Sequence, residues 1–453
     1  MFVDTHAHLF YENFKNDLDE VLNRAKENLI DYIIVPATDL ETAKTSLSLS
    51  EKYDFVYTAV GVHPHETKDW NRKFLIELKN LANHEKVVAI GEIGLDYYYD
   101  FSPKEKQIQA FKDQIELALE LGKPIIVHNR DSDEDMMEII SSYCSTGLKA
   151  QFHCFNASLS DAIEYIKMSH FISFTGNITY KKSTDLREIA KAIDINHLLL
   201  ETDSPFMSPM PYRGKRNEPA SLQNTVKQIS EIKNLSSEEI GKITSLNAFR
   251  MFGIGKVPKT SFTYLLGNSL YVNVTNRCNA DCVFCRRKTD PFISGYNLGM
   301  KKSEEPNAEV YISEIGDPKK YDEIVFCGFG EPTIRWDVVK EISKFVKANG
   351  GKTRLNTNGH GNLINNRDII PEMKGLIDTV SISLNSTDAK QYSKLMQVDE
   401  KYFYEMINFA KSAVNYTHKV VLTVVDLKEV EIQKAKKIIE EEIKAEFRLR
   451  HYF

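Results

Sequence analysis

The chain has 453 residues, of which 42% are hydrophobic and 27% are charged, and its formal net charge at pH 7 is -6. This length exceeds that of one ordinary domain and indicates two or three, in a chain with the composition of a soluble globular protein. Because the sequence shows no bilayer-spanning apolar run, no signal peptide at its start and no basic block, we expect a cytoplasmic protein with no membrane partner.

Short apolar strands alternate with amphipathic helical stretches from the start of the sequence to about residue 256. Eight such units in about 250 residues favour a (β/α)8 barrel of the TIM type, within the α/β class, whose active site lies at the C-terminal ends of the strands. A doubly wound open sheet is the alternative. The predicted strands cover residues 2–4, 32–36, 55–61, 87–91, 124–128, 150–153, 171–174 and 198–201.

Histidines and carboxylates come at the ends of five of these strands. His6 and His8 lie one residue apart, so their side chains point the same way, and imidazole is a common ligand of divalent metal ions. Four histidines and two carboxylates at one edge are mutually unfavourable unless cations neutralise them, and one carboxylate can bridge two ions. The pattern predicts a two-metal hydrolytic site. Because the first and the eighth strands both contribute, it also favours the closed barrel. The candidate metal ligands are His6, His8, Glu92, His128, His153 and Asp203.

Seven short segments of the first 256 residues form a recognisable set. They are DTHAHL at 4–9, GVHPH at 61–65, GEIGLDYY at 91–98, VHNRD at 127–131, FHCF at 152–155, ETDSPF at 201–206 and RGKRNEP at 213–219. In content and order they resemble the TatD family of metal-dependent hydrolases. The resemblance implies a divalent-metal phosphodiesterase, a DNase with 3′-exonuclease character, with DNA or RNA as its substrate.

The resemblance also implies roles for single residues. One ion would be held by His6, His8, Glu92 and Asp203, and the other by Glu92, His128 and His153. Asp203 and Glu92 are the candidate catalytic residues, with Asp203 as the general base. His63 and Arg213 are candidate substrate contacts, with packing for His63 and a solvated basic loop for Arg213 as equal alternatives. The metal is open among zinc, manganese, magnesium and similar ions, although histidine ligands disfavour magnesium.

A second domain is predicted to cover residues 269–453, after a linker over residues 257–268 that contains Pro258. It carries Cys278, Cys282 and Cys285 in a C-x3-C-x2-C spacing. A closed zinc site needs four ligands, and no fourth cysteine or histidine lies nearby. Three thiolates on a [4Fe-4S] cluster instead leave one iron open for a small molecule. This spacing resembles the signature of the radical S-adenosylmethionine (SAM) superfamily.

That resemblance implies a partial (β/α)6 barrel with SAM as the cofactor and an external electron donor. Gly328, Gly330 and Glu331 lie in a segment that is similar to the superfamily's GGEP element, which receives the methionine ammonium group. Asn358 and Ser383 are further cofactor-binding candidates, although ordinary capping of strand ends explains them equally well. The six predicted strands cover residues 270–274, 321–327, 354–357, 379–384, 420–425 and 447–451.

The whole sequence resembles a TatD-type hydrolase joined to a TatD-linked radical SAM domain, and it predicts a bifunctional enzyme. The radical substrate is unknown. We expect a macromolecule, because little of the chain remains after the sixth strand to close the open side of the second barrel. The alternative is a two-metal hydrolase of a small amide, ester or lactone. In that case the C-terminal half would be a redox module that holds a cluster and SAM.

Overall fold

A computed structural model describes residues 1–450 of the chain. It divides into two compact units, the first from Met1 to Val257 and the second from Pro258 onward. Among the described residues, no helix combines the length and the apolar character that crossing a bilayer requires.

Eight strands form a single sheet in the first unit, in the order of the chain and with all neighbours parallel. All eight predicted strands are present, most of them within two residues of the expected bounds. β4 continues five residues beyond the predicted end at Gly91, so that Glu92 lies inside the strand. The strands are β1 (Phe2–Asp4), β2 (Ile30–Pro36), β3 (Val56–Val60), β4 (Val87–Asp96), β5 (Ile125–Arg130), β6 (Ala150–Phe152), β7 (Phe171–Phe174) and β8 (Leu198–Leu200).

The sheet closes on itself where the segments after β1 and β8 meet. Thr5 N donates to Leu200 O at 3.0 Å, and Asp203 N donates to His6 O at 2.8 Å. The closed barrel is therefore confirmed over the open sheet. Its helices are α1 (Leu18–Glu27), α2 (Leu40–Lys52), α3 (Arg72–Ala82), α4 (Lys104–Leu121), α5 (Asp133–Ser142), α6 (Leu159–Lys167), α7 (Thr184–Ala192), α8 (Leu222–Lys233) and α9 (Ser237–Phe252).

β4 contains a bulge at the position that matters for function. Ile90 lies opposite Ile125, but Ile93 lies opposite Val127, so β4 has one residue more than β5 over this stretch. A bulge re-aims the side chains of the strand that carries it. Glycine is required beside it, because a Cβ on Gly91 would lie 2.7 Å from the Cβ of Ile126. The bulge thus sets the position of Glu92.

The second unit is built on a seven-stranded sheet in the order β17-β16-β15-β14-β13-β10-β9. The six predicted strands are confirmed, and the last residue of the predicted sixth strand, His451, lies outside the described residues. β9 was not predicted, since residues 263–266 were placed in the linker. The strands are β9 (Thr263–Leu266), β10 (Ser269–Val272), the short pair β11 (Phe292–Ile293) and β12 (Tyr296–Asn297), β13 (Ile324–Phe326), β14 (Thr353–Thr357), β15 (Thr379–Ser383), β16 (Lys419–Val425) and β17 (Glu446–Arg450).

All strands from β10 to β17 in this sheet run parallel, while β9 pairs with β10 as an antiparallel hairpin across Gly267 and Asn268. In the part of the chain that is described, the edge strands β9 and β17 do not pair with each other, so this barrel is partial. The helices are α10 (Ala308–Ile315), α11 (Trp336–Ala348), α12 (Gly361–Asn365), α13 (Ala389–Met396), α14 (Lys401–Ala413) and α15 (Ile432–Lys437).

Candidate functional site

The six predicted metal ligands of the first unit meet at the C-terminal edge of the barrel. On one side, His6 Nε2 lies 3.3 Å from Glu92 Oε2. His8 Nε2 lies 3.5 Å from both Glu92 Oε2 and Asp203 Oδ1. The structure therefore brings together the residues predicted for one ion.

The other oxygen of Glu92 faces a second group of histidines. Glu92 Oε1 lies 2.8 Å from both His128 Nδ1 and His153 Nε2. His63 Nε2 lies 3.5 Å from the same oxygen. Glu92 thus faces both groups with different oxygens, as a bridging ligand must.

Hydrogen bonds to the far ring nitrogens test whether cations fit this site. His8 Nδ1 lies 3.1 Å from Pro36 O, and because a carbonyl only accepts, this nitrogen carries the proton. His128 Nε2 likewise donates to Asp96 Oδ2 at 3.0 Å. In their neutral forms, both rings then direct a lone pair at the oxygens of Glu92. Lone pairs facing a buried carboxylate repel it unless a cation lies between them, so the donor set fits divalent metal ions.

The charge state of His6 agrees with a ligand role. Burial, followed by the nearby charge of His153, lowers the pKa of His6 to about 3. The His6 ring is therefore neutral near pH 7, as a metal-binding imidazole must be. At His153 burial is outweighed by the charge of Glu92, which raises the pKa to about 9, so a cation bound there would displace a proton from this ring.

Glu201 lies beneath the site and faces two of the predicted ligands. Its carboxylate oxygens lie 4.0 Å from His6 Nδ1 and 4.0 Å from His153 Nδ1. Within the described residues, neither of these buried ring nitrogens has a hydrogen-bond partner, and Glu201 is the carboxyl group that faces both. Gln151 Nε2 donates to Glu201 at 2.9 Å and fixes the carboxylate. A carboxylate behind a metal-binding imidazole orients the ring and increases its basicity.

Two residues of this site were missed by the sequence analysis. Asp96 accepts from His128 Nε2, and it also contacts His65 Nε2 at 2.9 Å. Asp96 and His65 both lie in the segments that carry the family resemblance. On β4, Asp96 follows Gly94 by two residues and Glu92 by four. The two-residue repeat of a strand was therefore the available signal that Asp96 shares a face with Glu92.

The two predicted substrate contacts differ in their surroundings. His63 is buried against Glu92, and burial together with His128 lowers its pKa to about 4. Arg213 is exposed and lies over the ring of Tyr180, 4.4 Å from its centroid. Its neighbour Arg216 forms a bidentate ion pair with Asp17 at 2.6 and 2.7 Å, so that part of the basic loop is engaged within the protein.

Cys278, Cys282 and Cys285 lie in the loop after β10, and all three are half-buried. Burial, and then the charge of Cys278, raises the pKa of the Cys282 thiol to about 12, so the thiols are close enough to interact. Within the described residues, however, their sulfur atoms do not form a set that lies within 4.8 Å. A single zinc ion needs closer sulfurs, because its Zn–S bonds are about 2.3 Å long. The three sulfur atoms, as the structure places them, therefore do not match a single zinc site.

The predicted glycines hold this loop against the end of β13. A Cβ on Gly330 would lie 2.3 Å from the carbonyl oxygens of both Thr275 and Arg277. A Cβ on Gly328 would lie 2.4 Å from Asn273 Oδ1. Only glycine permits this approach to the segment that leads into Cys278.

Glu331 is buried and is bound by protein donors on both carboxylate oxygens. Oε1 accepts from Thr333 N at 3.0 Å and from Thr357 Oγ1 at 2.8 Å, and Oε2 accepts from Asn358 N at 2.8 Å. The carboxylate therefore joins the ends of β13 and β14. These hydrogen bonds support a role for Glu331 in positioning Asn358. This role is additional to the predicted contact of the Glu331 segment with the methionine ammonium group.

Asn358 connects the end of β14 to the cysteine loop. Its Nδ2 donates to Asn279 Oδ1 at 2.8 Å and lies 3.9 Å from Cys278 Sγ. His360, which the sequence analysis missed, contacts Asn279 Nδ2 through Nδ1 at 2.9 Å. Ser383 is the last residue of β15, at the same strand edge.

The fold and the donor set define the first unit as a metal-dependent hydrolase. The chain belongs to the family described as TatD related DNase, which it matches over residues 3–253. Residues 272–441 match the Radical SAM superfamily and form a radical SAM domain. Both resemblances drawn from the sequence motifs are confirmed.

Proteins of similar sequence align with the first unit over nearly their whole length. The uncharacterized metal-dependent hydrolase YabD of Bacillus subtilis is 44% identical over 254 residues, which are 56% of this chain and 100% of YabD. The 3′-5′ ssDNA/RNA exonuclease TatD of Erwinia tasmaniensis is 32% identical over 257 residues, 55% of this chain and 99% of that protein. The crystal structure of YjjV, a TatD homologue from Escherichia coli, has 29% sequence identity and a TM-score of 0.54, and the match covers 56% of this chain and 98% of YjjV.

The position of Glu201 leads to a prediction about metal affinity. Replacing Glu201 with Gln removes the carboxyl group behind His6 and His153, and we expect the affinity for divalent cations to fall about 10- to 100-fold. The measurement is a competition titration of Mn²⁺ or Zn²⁺ against a chelating indicator. Glu231→Gln, on the exposed side of α8, is the matched control. An affinity within twofold of wild type would show that Glu201 does not support the site.

The close contacts of Gly330 lead to a second prediction. Gly330→Ala should lower the free energy of unfolding of the second unit by about 3 kcal/mol or more, because backbone oxygens cannot move away as a side chain can. Urea-induced unfolding of the full chain measures this effect. The control is Gly375→Ala, where a Cβ would meet no atom within 4 Å and only the positive φ of 75° is strained, at about 1–2 kcal/mol. Equal losses in both variants would contradict the role given to Gly330.

Proposed function

We propose that the first unit uses two divalent cations to cleave phosphodiester bonds of DNA or RNA, and that the second is a radical SAM enzyme with a macromolecular substrate. The proposal that the first unit is a two-metal hydrolase rests on one observation. The two oxygens of Glu92 face different histidines, Oε2 facing His6 and Oε1 facing His128 and His153. A carboxylate shared in this way is what two neighbouring cations require. The Erwinia relative, a 3′-5′ ssDNA/RNA exonuclease, supports nucleic acid as the substrate.

The proposed ligands divide between the two cations through Glu92. His6, His8, Asp203 and Glu92 would hold one cation, and His128, His153 and Glu92 would hold the other. Bound cations would supply an activated water and neutralise charge on the phosphate. Two protein groups fix the rings for this task, since Pro36 O binds His8 Nδ1 and Asp96 binds His128 Nε2.

Asp203 is the proposed general base. Burial opposes its ionisation, but the hydrogen bond with His8 and the neighbouring histidines lower its pKa below the ordinary value, so it is a carboxylate at neutral pH. It can therefore accept a proton from a water molecule beside His8. Its backbone is fixed by the hydrogen bond from Asp203 N to His6 O. Glu92 contributes by keeping both sets of ligands in place.

Substrate contacts are proposed at the rim of the same barrel edge. Arg213 is exposed, and its guanidinium is suited to a phosphate oxygen. His63 lies deeper, with its Nε2 3.5 Å from Glu92 Oε1. It is the proposed contact for the scissile phosphate.

The radical SAM half is supported by residues that converge on one edge of the second sheet. The cysteine loop follows β10, Glu331 follows β13, Asn358 follows β14 and Ser383 ends β15. Because these strands are parallel, their C-terminal ends lie together. Cys278, Cys282 and Cys285 would hold a [4Fe-4S] cluster, which with SAM and an external electron donor supplies radical chemistry. Gly328 and Gly330 keep the backbone of the SAM-binding segment close to that loop.

A macromolecular radical substrate is supported by the open side of the second sheet. In the described part of the chain β9 and β17 do not pair with each other, so the strands do not close this side. Radical chemistry needs exclusion of solvent, and a large substrate that covers this side would provide it.

The roles of the metal ligands lead to a prediction about hydrolysis. Asp203→Ala should reduce cleavage of a labelled single-stranded oligonucleotide about 10²- to 10⁴-fold, because it removes both the base and a ligand. The rate is measured in excess Mn²⁺. Cleavage by Asp203→Ala at the wild-type rate would contradict the phosphodiesterase proposal. Wild-type enzyme that hydrolyses small esters or lactones but no oligonucleotide would favour the small-substrate alternative instead.

The cysteine loop leads to a reciprocal prediction. Cys278→Ala, purified anaerobically, should lose its cluster iron and form no 5′-deoxyadenosine from SAM and a strong reductant above background, while oligonucleotide cleavage persists. Iron analysis and chromatography of the products measure both effects. Cys327→Ala, which removes a thiol outside the loop, is the matched control and should retain iron and 5′-deoxyadenosine formation. Wild-type protein that binds a cluster and SAM without turnover would show that this half is a redox module.

A further inference from the structure

The exposed aromatic side chains of the first unit are concentrated beside the candidate metal centre. Five phenylalanine and tyrosine side chains are exposed in residues 1–257, and all of them lie in the two loops that follow β4 and β8. Tyr98, Tyr99 and Phe101, which we call the aromatic ledge, are 58%, 41% and 58% exposed. A contiguous cluster of exposed apolar side chains often marks a binding site, and this one lies at the barrel edge that carries the candidate metal ligands.

The aromatic ledge is connected to the metal ligands by direct contacts. The ring of Phe101 lies 4.8 Å from that of His65, and the ring of Tyr99 lies 5.4 Å from it. His65 in turn shares Asp96 with His128, at 2.9 and 3.0 Å. The ring centroids of His65 and His128 are 6.2 Å apart, so His65 is the one side chain between the ledge and a proposed metal ligand. This places the ledge within reach of a nucleotide whose phosphate lies at the centre.

The backbone of the ledge is fixed before any substrate binds. Tyr98 N and Tyr99 N both donate to Asp96 Oδ1, at 3.0 and 3.1 Å. Gln107 Nε2 donates to Asp96 O and to Ser102 O, at 3.0 and 2.9 Å, and so joins the two ends of the loop. A surface that is already ordered loses little conformational entropy on binding.

A cationic side chain accompanies the aromatic ledge. The guanidinium carbon of Arg130 lies 3.9 Å from the ring centroid of Tyr98 and 5.0 Å from that of Tyr99. Arg130 is exposed, at the end of β5. Aromatic rings interleaved with a guanidinium are the combination that binds unpaired bases and the phosphates between them.

We propose that the aromatic ledge is a base-stacking subsite for single-stranded nucleic acid, in which Tyr99 and Phe101 stack on an unpaired base near the scissile phosphate and Arg130 contacts a phosphate. This inference rests on the proposed phosphodiesterase function. It specifies a single strand, because the faces of bases in a duplex are already covered by their neighbours.

The test uses the full chain and a single-stranded oligonucleotide. Stacking on one base is worth about a 5- to 150-fold change in affinity, so the double variant Tyr99→Ala, Phe101→Ala should raise KM by such a factor with little change in kcat. Tyr99→Phe, Phe101→Tyr keeps both rings and should stay within twofold of wild type. Tyr404→Ala, a 60% exposed tyrosine of the second unit, is the matched control and should have no effect.

An oligonucleotide with abasic units beside the scissile phosphate completes the test. Wild-type enzyme should lose on this substrate the same factor that the double alanine variant loses on the normal one, and the variant should lose nothing further. Normal cleavage with an unchanged KM in the double alanine variant would overturn the ledge alone. No cleavage of any oligonucleotide by wild-type enzyme would overturn the phosphodiesterase function and the ledge with it. The two failures are therefore distinguishable.

Discussion

A buried carboxylate surrounded by imidazoles is the constraint on which the first unit depends. Glu92 lies within 3.5 Å of ring nitrogens from His6, His8, His63 and His128. Burying such a group costs free energy unless its charge is balanced. Within residues 1–450, the side chains paired with Glu92 are histidines and not lysine or arginine, and the protein fixes their rings from behind. A barrel suits this arrangement, because side chains from distant parts of the sequence converge on the ends of parallel strands.

The second unit depends instead on close packing of backbone segments. Its cysteine loop packs on the segment after β13, and the contact tolerates no side chain at two glycines. Glu331 then joins this segment to Asn358, which reaches the sulfur of Cys278. Where the first unit relies on charge, the second relies on close backbone approach and on a hydrogen-bonded carboxylate. In both cases the functional loops follow parallel strands.

Much of this architecture could be predicted from the sequence, because strand alternation and ligand spacing are local properties. The six candidate ligands of the first unit meet as the strand order implies. The contacts of the supporting groups are harder to predict, although the two-residue repeat places Asp96 on the same strand face as Glu92. Glu201 and Asp96 act on the far side of imidazole rings, and which carboxylate faces a ring depends on the packing of the whole barrel. The pairing of Arg216 with Asp17 joins residues that are 199 positions apart. β9 differs from these long-range contacts, because the Gly-Asn turn that joins it to β10 is a local hairpin signal in the sequence.

The closure of the first barrel couples the binding of metal ions to the stability of the folded state. The proposed ligands of one cation come from both sides of the junction between β1 and β8, where Asp203 N bonds to His6 O. An ion bound there would connect the first strand of the chain to the last strand of the barrel. Ligands that bind only the folded state raise its stability in proportion to the logarithm of their concentration. Resistance to unfolding in this enzyme should therefore follow the supply of divalent ions in its surroundings.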